Sequence, residues 1–269
     1  MNDRIDKIAA VQMVSTPVVE ENMATAQRLI GQAAGEGVQL VLLPEYWSVM
    51  GMHEVDKLAL AETDGSGPIQ DFMAACAQRH GVWLVGGTLP MASGDSGKVR
   101  NTTLVFDPNG KCVSRYDKIH LFSFTGAAEA YDEARTIMAG TQVTSFDAPF
   151  GRVGLSVCYD LRFPELYRAM GEVSLVVVPA AFTYTTGRAH WEVLLRARAI
   201  ENQCYVLAAA QGGTHQNGRR TWGHSMLIDA WGEIKAVCPE GEGLAVGDID
   251  PHHLLTVRKN LPALTHRKL

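Results

Sequence analysis

Short apolar runs alternate with helix-period segments along this chain, and three of the runs end at a side chain that can do chemistry. A run of that length, apolar throughout, reads as a strand buried on both faces. Lys7 to Met13 is a short strand, and Val38 to Leu43 is a continuous apolar one of this kind. Between them, Asn22 to Ala34 puts Ala26, Leu29, Ile30 and Ala33 on one helical face, with Gly35 near the end. Pro68 to His80 is helical and closed by Gly81, and Val82 to Leu89 returns as a strand. Thr102 to Phe106 and Cys112 to Tyr116 flank the turn sequence Asp107-Pro108-Asn109-Gly110, which predicts a hairpin. Val153 to Val157 and Leu175 to Val178 bracket a helix opening at Pro164, a residue suited to a first helical turn. His190 to Asn202 is a further helix and Cys204 to Ala210 a strand. Met226 to Ile228 and Ile234 to Val237 make a second hairpin around Ala230-Trp231-Gly232. Crossover units together with hairpins predict an α/β fold with mixed sheets. No repeat, low-complexity tract or linker interrupts the 269 residues, so one domain over residues 1–269 is expected.

Chemistry gathers at the strand ends, the usual place for sites in open α/β sheets. Glu45 follows Val38 to Pro44, Lys118 stands in Tyr116-Asp117-Lys118-Ile119-His120-Leu121-Phe122, and Cys158 closes Gly154-Leu155-Ser156-Val157-Cys158. A lone strand cysteine is more often inert packing. The polar Tyr159, Asp160 and Arg162 directly after it argue against a strand that continues through a core. A thiol facing the helix at Pro164 would be favoured as thiolate, the form that attacks carbonyl carbon. Glu45 can take the thiol proton if burial raises its pKa. Lys118 and the backbone N–H of Tyr159 are candidates for holding the oxyanion. The aperiodic stretch from Ile119 to Gln142 is long enough to be a functional loop.

Composition removes several classes. A net charge of −5 offers no basic footprint for nucleic acid. No run of about 18 apolar residues spans a membrane, and Met1-Asn2-Asp3-Arg4 starts no signal peptide, so cytoplasm is the expected location. The five cysteines are scattered without a CxxC, which disfavours a disulfide framework or structural zinc; Cys76, Cys204 and Cys238 read as buried inert thiols. His190, His224, His252, His253 and His266 lack metal-ligand spacing, so no metal is expected. A thiol protease pairing Cys158 with His224 is the rival enzyme, and a catalytically silent binding scaffold the rival without chemistry.

The motifs Leu43-Pro44-Glu45, Lys118-Ile119-His120-Leu121-Phe122 and Cys158-Tyr159-Asp160-Leu161-Arg162-Phe163-Pro164-Glu165 resemble the three signatures of the nitrilase superfamily of carbon–nitrogen hydrolases, in order and from end to end. The resemblance implies a four-layer α-β-β-α sandwich with mixed sheets, a Glu45–Lys118–Cys158 triad and no cofactor. It also implies a small-molecule amide substrate and a homodimer or higher homo-oligomer. The family's second glutamate, seven residues before a glycine, matches Glu133 ahead of Gly140, with Glu129 as rival. Ser123 and Ala139 depart from common family residues in that loop. The segments from Ala181 to Glu201, Gln203 to Gly212 and Gly223 to Met226 are similar to deaminated glutathione amidases; ω-amidases differ after the Cys204 strand. Both groups act on acyl parts carrying an α-keto acid, and such a substrate calls for a cation. The implied substrate-binding residues are Arg162, Phe182 and Thr186, with Arg188 for a second carboxylate.

Overall fold

The computed structural model describes residues 6–126 and 130–268. Two sheets stand face to face. The first half of the chain runs β1 (Asp6–Gln12), α1 (Val19–Gly35), β2 (Leu40–Leu42), α2 (Pro68–His80), β3 (Trp83–Val85), β4 (Leu89–Ala92), β5 (Val99–Phe106) and β6 (Cys112–Asp117). A small antiparallel hairpin, β7 (Ser123–Thr125) and β8 (Ala130–Asp132), follows. The second half runs β9 (Ser145–Ala148), β10 (Gly151–Leu155), α3 (Pro164–Ala169), β11 (Leu175–Ala180), α4 (Tyr184–Asn202), β12 (Tyr205–Ala210), β13 (Ser225–Ile228) and β14 (Ile234–Cys238). The chain then crosses back as β15 (Gly243–Ile249) and ends in α5 (Pro251–Asn260).

One sheet has the order β15-β1-β2-β3-β5-β4 with β6 on the far side of β5, and the other the order β14-β13-β12-β11-β10-β9. Both are mixed: β1, β2 and β3 are parallel, as are β10, β11 and β12, while their flanking strands run antiparallel. Strand alternation distributes the core. Ile8, Ala10, Leu40 and Leu42 point into the space between the sheets and meet Val177, Leu207 and Leu227 of the opposite sheet. Ala9, Val11, Val41 and Leu43 point outward beneath Leu29, Ile30 and Met73 of α1 and α2. Trp191, Leu195 and Ala199 of α4 cover the other sheet. Four layers result. No helix among the described residues is long and apolar enough to cross a membrane.

Several elements depart from the sequence expectation. The run from Val82 to Leu89 is two strands, because Gly86 and Gly87 break it and β3 and β4 pair successive stretches of β5. Helix α4 starts six residues before His190, since Thr183 caps it by accepting from the Thr186 N–H. Strands β9 and β15 and helix α5 were not predicted. The β15 pairing with all seven residues of β1 joins the end of the chain to its beginning.

Candidate active site

Glu45, Lys118 and Glu133 come from three distant segments and meet in the interior. Glu45 leaves β2 through Pro44, and the turn packs on Gly87, whose φ is +51°. A β-carbon there would lie 2.1 Å from the Pro44 carbonyl oxygen, so only glycine lets this turn sit against the sheet. Lys118 follows the last residue of β6. Gly140 closes on that same point: a β-carbon would stand 2.1 Å from the Asp117 oxygen, and its N–H donates to the Lys118 carbonyl at 2.8 Å. The glycine that marks Glu133 in the sequence thus anchors the end of the Glu133 loop beside Lys118.

The Lys118 ammonium donates to Glu45 Oε1 at 2.8 Å and to Glu133 Oε1 and Oε2 at 3.0 and 2.8 Å. Glu45 is held further by Asn101 Nδ2 on Oε1 and by the Ala181 N–H on Oε2, both at 2.9 Å. Glu133 accepts from the Tyr46 hydroxyl at 2.8 Å and the Phe122 N–H at 2.7 Å. Burial would discharge Lys118, but the Glu133 and Glu45 carboxylates outweigh it and hold the ammonium above the ordinary lysine value. Burial likewise pushes the Glu133 carboxyl up, and the Lys118 charge with the hydrogen bonds around it more than reverses this, leaving it below the ordinary carboxylate value. The Lys118 contribution to stability is therefore present below its unfolded pKa and lost as pH rises through the raised one. That of Glu133 is present above its unfolded pKa and lost as pH falls through the depressed one. The pair is intact across neutral pH.

Cys158 sits at φ +49°, and Tyr46, next to Glu45, at φ +56°. Left-handed backbone at a residue other than glycine costs about 1–2 kcal/mol and needs support from its surroundings. At Cys158 that support is the buried Asp160 carboxylate. Its Oδ2 accepts from the Val157 N–H at 2.8 Å and the Tyr116 hydroxyl at 2.7 Å, and its Oδ1 meets the His120 N–H and Nδ1 at 3.0 and 2.7 Å. His120 also stacks on Phe163, ring centres 3.7 Å apart. The segment around Lys118, held at Tyr116 and His120, and the turn bearing Cys158 are thus tied through one carboxylate. Burial and then the Glu45 carboxylate push the Cys158 thiol well above its ordinary value, and Lys118 lowers it too little to compensate. The expected resting thiolate is corrected accordingly: α3 is only six residues long and begins six positions beyond the cysteine, so its dipole does not prevail. The proton stays on sulfur, next to a carboxylate that can take it.

The pocket at Cys158 is walled by Phe122, Glu133, Tyr159, Arg162, Phe182 and Thr186, together with Ala181, Thr183 and Arg219. Arg162 lies over the Tyr159 and Phe182 rings at 5.8 and 5.5 Å and meets His190 Nδ1 at 3.2 Å. Thr183 and Thr186 belong to the capped start of α4, so the positive end of that helix borders the pocket. Arg188 is not brought in. It stands exposed on α4, where the helix starting at Tyr184 turns it away from the pocket wall. His224 is absent from the wall as well; it stacks on Trp222 at 4.2 Å and bonds the Trp222 carbonyl oxygen, which leaves a Cys158–His224 pairing without geometry. Glu129 lies outside the described residues. Among those residues no group of three or more His, Cys, Asp or Glu could hold a metal ion.

Asn101, Tyr46, Asp160 and Arg219 escaped the sequence reading. Asp160 lay inside a quoted motif and Tyr46 beside Glu45. Asn101 carried no local signal, because it lies on β5, two strands from β2, and only the sheet order brings it to Glu45. Burial opposes the charge of Arg219, and Tyr46, Tyr131, Glu45 and Glu54 outweigh it, so the guanidinium is held above its ordinary value.

Residues 7–259 match the family described as Carbon-nitrogen hydrolase. A deaminated glutathione amidase of Synechocystis sp. is 44% identical over 96% of this chain and 97% of its own length. The crystal structure of the Caenorhabditis elegans NitFhit protein superposes with a TM-score of 0.92 at 38% identity, covering 100% of this chain and 66% of that one. Saccharomyces cerevisiae Nit3, a member of branch 10 of the nitrilase superfamily, gives 0.88 at 30% identity, covering 96% and 95%. The four-layer sandwich is the fold of that superfamily.

Proposed function

Because this chain belongs to the carbon–nitrogen hydrolase family, we propose that it is a cysteine-dependent amidase cleaving the amide between a 2-oxoglutaryl group and cysteinylglycine, that is, deaminated glutathione. The observation that carries the reading is the charge cluster of Glu45, Lys118 and Glu133 buried against the Cys158 thiol. The substrate class comes from the relative of that name and from Arg162, a cation in the wall of the same pocket.

In the proposed course, Glu45 takes the thiol proton as sulfur attacks the amide carbon, so charge separation is created only when substrate is in place. The carbonyl oxygen becomes an oxyanion facing Lys118 and the Tyr159 N–H. Glu45 returns the proton to the nitrogen as the C–N bond breaks, and cysteinylglycine leaves as an amine. Water then gives a proton to Glu45 and its oxygen to the thioester carbon. The C–S bond breaks, sulfur regains the proton, and 2-oxoglutarate departs. Glu133 keeps Lys118 pointed at the reacting centre throughout.

The test is the ratio of kcat/KM for deaminated glutathione and 2-oxoglutaramate. Deaminated glutathione is expected to win, with neutral amides and nitriles poor. A preference for 2-oxoglutaramate of more than about tenfold, roughly 1.4 kcal/mol in barrier, makes the chain an ω-amidase instead. We further propose a homodimer. Val193 and Ile200 on α4 and Trp231 are 68%, 50% and 62% exposed, and Ile200 packs next to the turn at Gly232, so an apolar patch extends across that face. Light scattering should give twice the chain mass, and Ile200→Asp with Trp231→Ser should halve it. A wild-type mass of one chain removes the dimer.

A further inference from the structure

The proposed substrate carries two carboxylates, one on the acyl part and one at the end of the leaving dipeptide, and Arg188 does not meet the second. Beyond the Cys158 pocket lies a cleft of about 800 Å³, walled in part by His53, Glu54, Tyr131, Tyr184, Asn217 and Arg220. Arg219 lines both the cleft and the inner pocket, whereas Arg162 lines only the inner one. Arg219 Nη2 donates to the Ala181 carbonyl at 3.1 Å, and the guanidinium lies 4.9 Å from the centre of the Tyr131 ring. Its Nε is buried and has no hydrogen-bond partner among the described residues. A buried donor left that way on a charged group is costly unless a ligand completes it. The acidic group of the cleft, Glu54, is paired with Lys57 Nζ at 2.7 Å, which offsets its repulsion of an anion there.

Resting on the amidase reading above, we propose that Arg219 is the residue that selects substrates with an anionic leaving group, binding the terminal carboxylate of the dipeptide at the neck between pocket and cleft. Arg162 faces the α-keto acid of the acyl part across the same pocket. The sulfur then attacks a carbonyl held from both ends, which favours an extended substrate over a short ω-amide. Ala181 couples this to the chemistry: its carbonyl accepts from Arg219 while its N–H donates to Glu45.

The experiment compares deaminated glutathione with the same compound amidated at its terminal carboxyl, using wild type, Arg219→Gln, Arg219→Lys and Arg188→Ala. Wild type should prefer the free acid by about 10- to 100-fold in kcat/KM, the range of a charge-assisted hydrogen bond. In Arg219→Gln that preference should fall to within about threefold, because the free acid loses and the amidated compound does not. Arg219→Lys, which keeps the charge without the fork, should retain part of it, and Arg188→Ala should retain all of it. A merely structural arginine would lower both substrates together and leave the ratio standing, as would a variant that folds poorly; that outcome overturns the proposal. So does a wild-type enzyme indifferent to amidation. If wild type turns over neither compound, the amidase reading itself fails and the proposal falls with it, a result distinct from an unchanged ratio on an active enzyme.

Discussion

Cys158→Ala is expected to lose about four orders of magnitude in kcat, roughly 5.5 kcal/mol of barrier, with the fold unchanged. No other side chain in the pocket wall can form an acyl intermediate in its place: Tyr159 and the two threonines have no adjacent base of the kind Glu45 offers the thiol. What remains in the variant is Lys118 and the binding groups, which polarise the amide without a nucleophile. Alanine keeps the left-handed backbone of position 158 no worse than cysteine does, and Asp160 still clamps the turn, so the thermal midpoint should stay within about 2 °C. Turnover comparable to wild type would remove the cysteine from the mechanism.

Glu45→Gln and Lys118→Ala should each cost at least about a hundredfold in kcat, some 2.7 kcal/mol, yet part company in stability. Glutamine can keep the contact to the Ala181 N–H but cannot carry a proton, and it relieves the surplus negative charge of two carboxylates around one ammonium. Its midpoint should hold. Removing Lys118 leaves Glu45 and Glu133 buried without a counter-charge, which costs about 3–5 kcal/mol and should lower the midpoint by about 10 °C. Glu45→Gln added to Cys158→Ala should cost nothing more, since the base has no thiol to serve. Glu133→Gln should impair turnover less than either. Equal midpoints for Glu45→Gln and Lys118→Ala would contradict the electrostatics described.

The elements that could be read from sequence are those with local causes. Pro68 and Gly81 bound α2 where expected, because a proline fits the first turn and Gly81 takes φ +63° as its C-cap. The hairpin of β5 and β6 followed from its turn, and Glu45 and Cys158 were legible because each ends a buried run, whereas Lys118 follows the half-exposed β6 and was legible from its motif. What was hidden is set by tertiary contact. Thr183 to Gly187 looks like loop, yet the cap at Thr183 starts α4 there, and Gly187 packs so tightly on Trp222 that a β-carbon would stand 2.3 Å from it. Strand β15 has no partner nearby in sequence, only β1. Arg188 was expected to meet the second carboxylate and Arg219 was overlooked; the direction of α4 takes the first away from the pocket, and the return of the chain after β12 brings the second to it. The charge state of Cys158 was misjudged because burial and a neighbouring carboxylate are not visible in a motif.

The most direct test is peptide mass mapping of wild-type enzyme acid-quenched during turnover of deaminated glutathione. The account predicts a 2-oxoglutaryl group in place of the thiol hydrogen on the peptide containing Cys158, and none on those containing Cys76, Cys112, Cys204 or Cys238. The same acyl group found on another residue, in enzyme turning over at full rate, would contradict it.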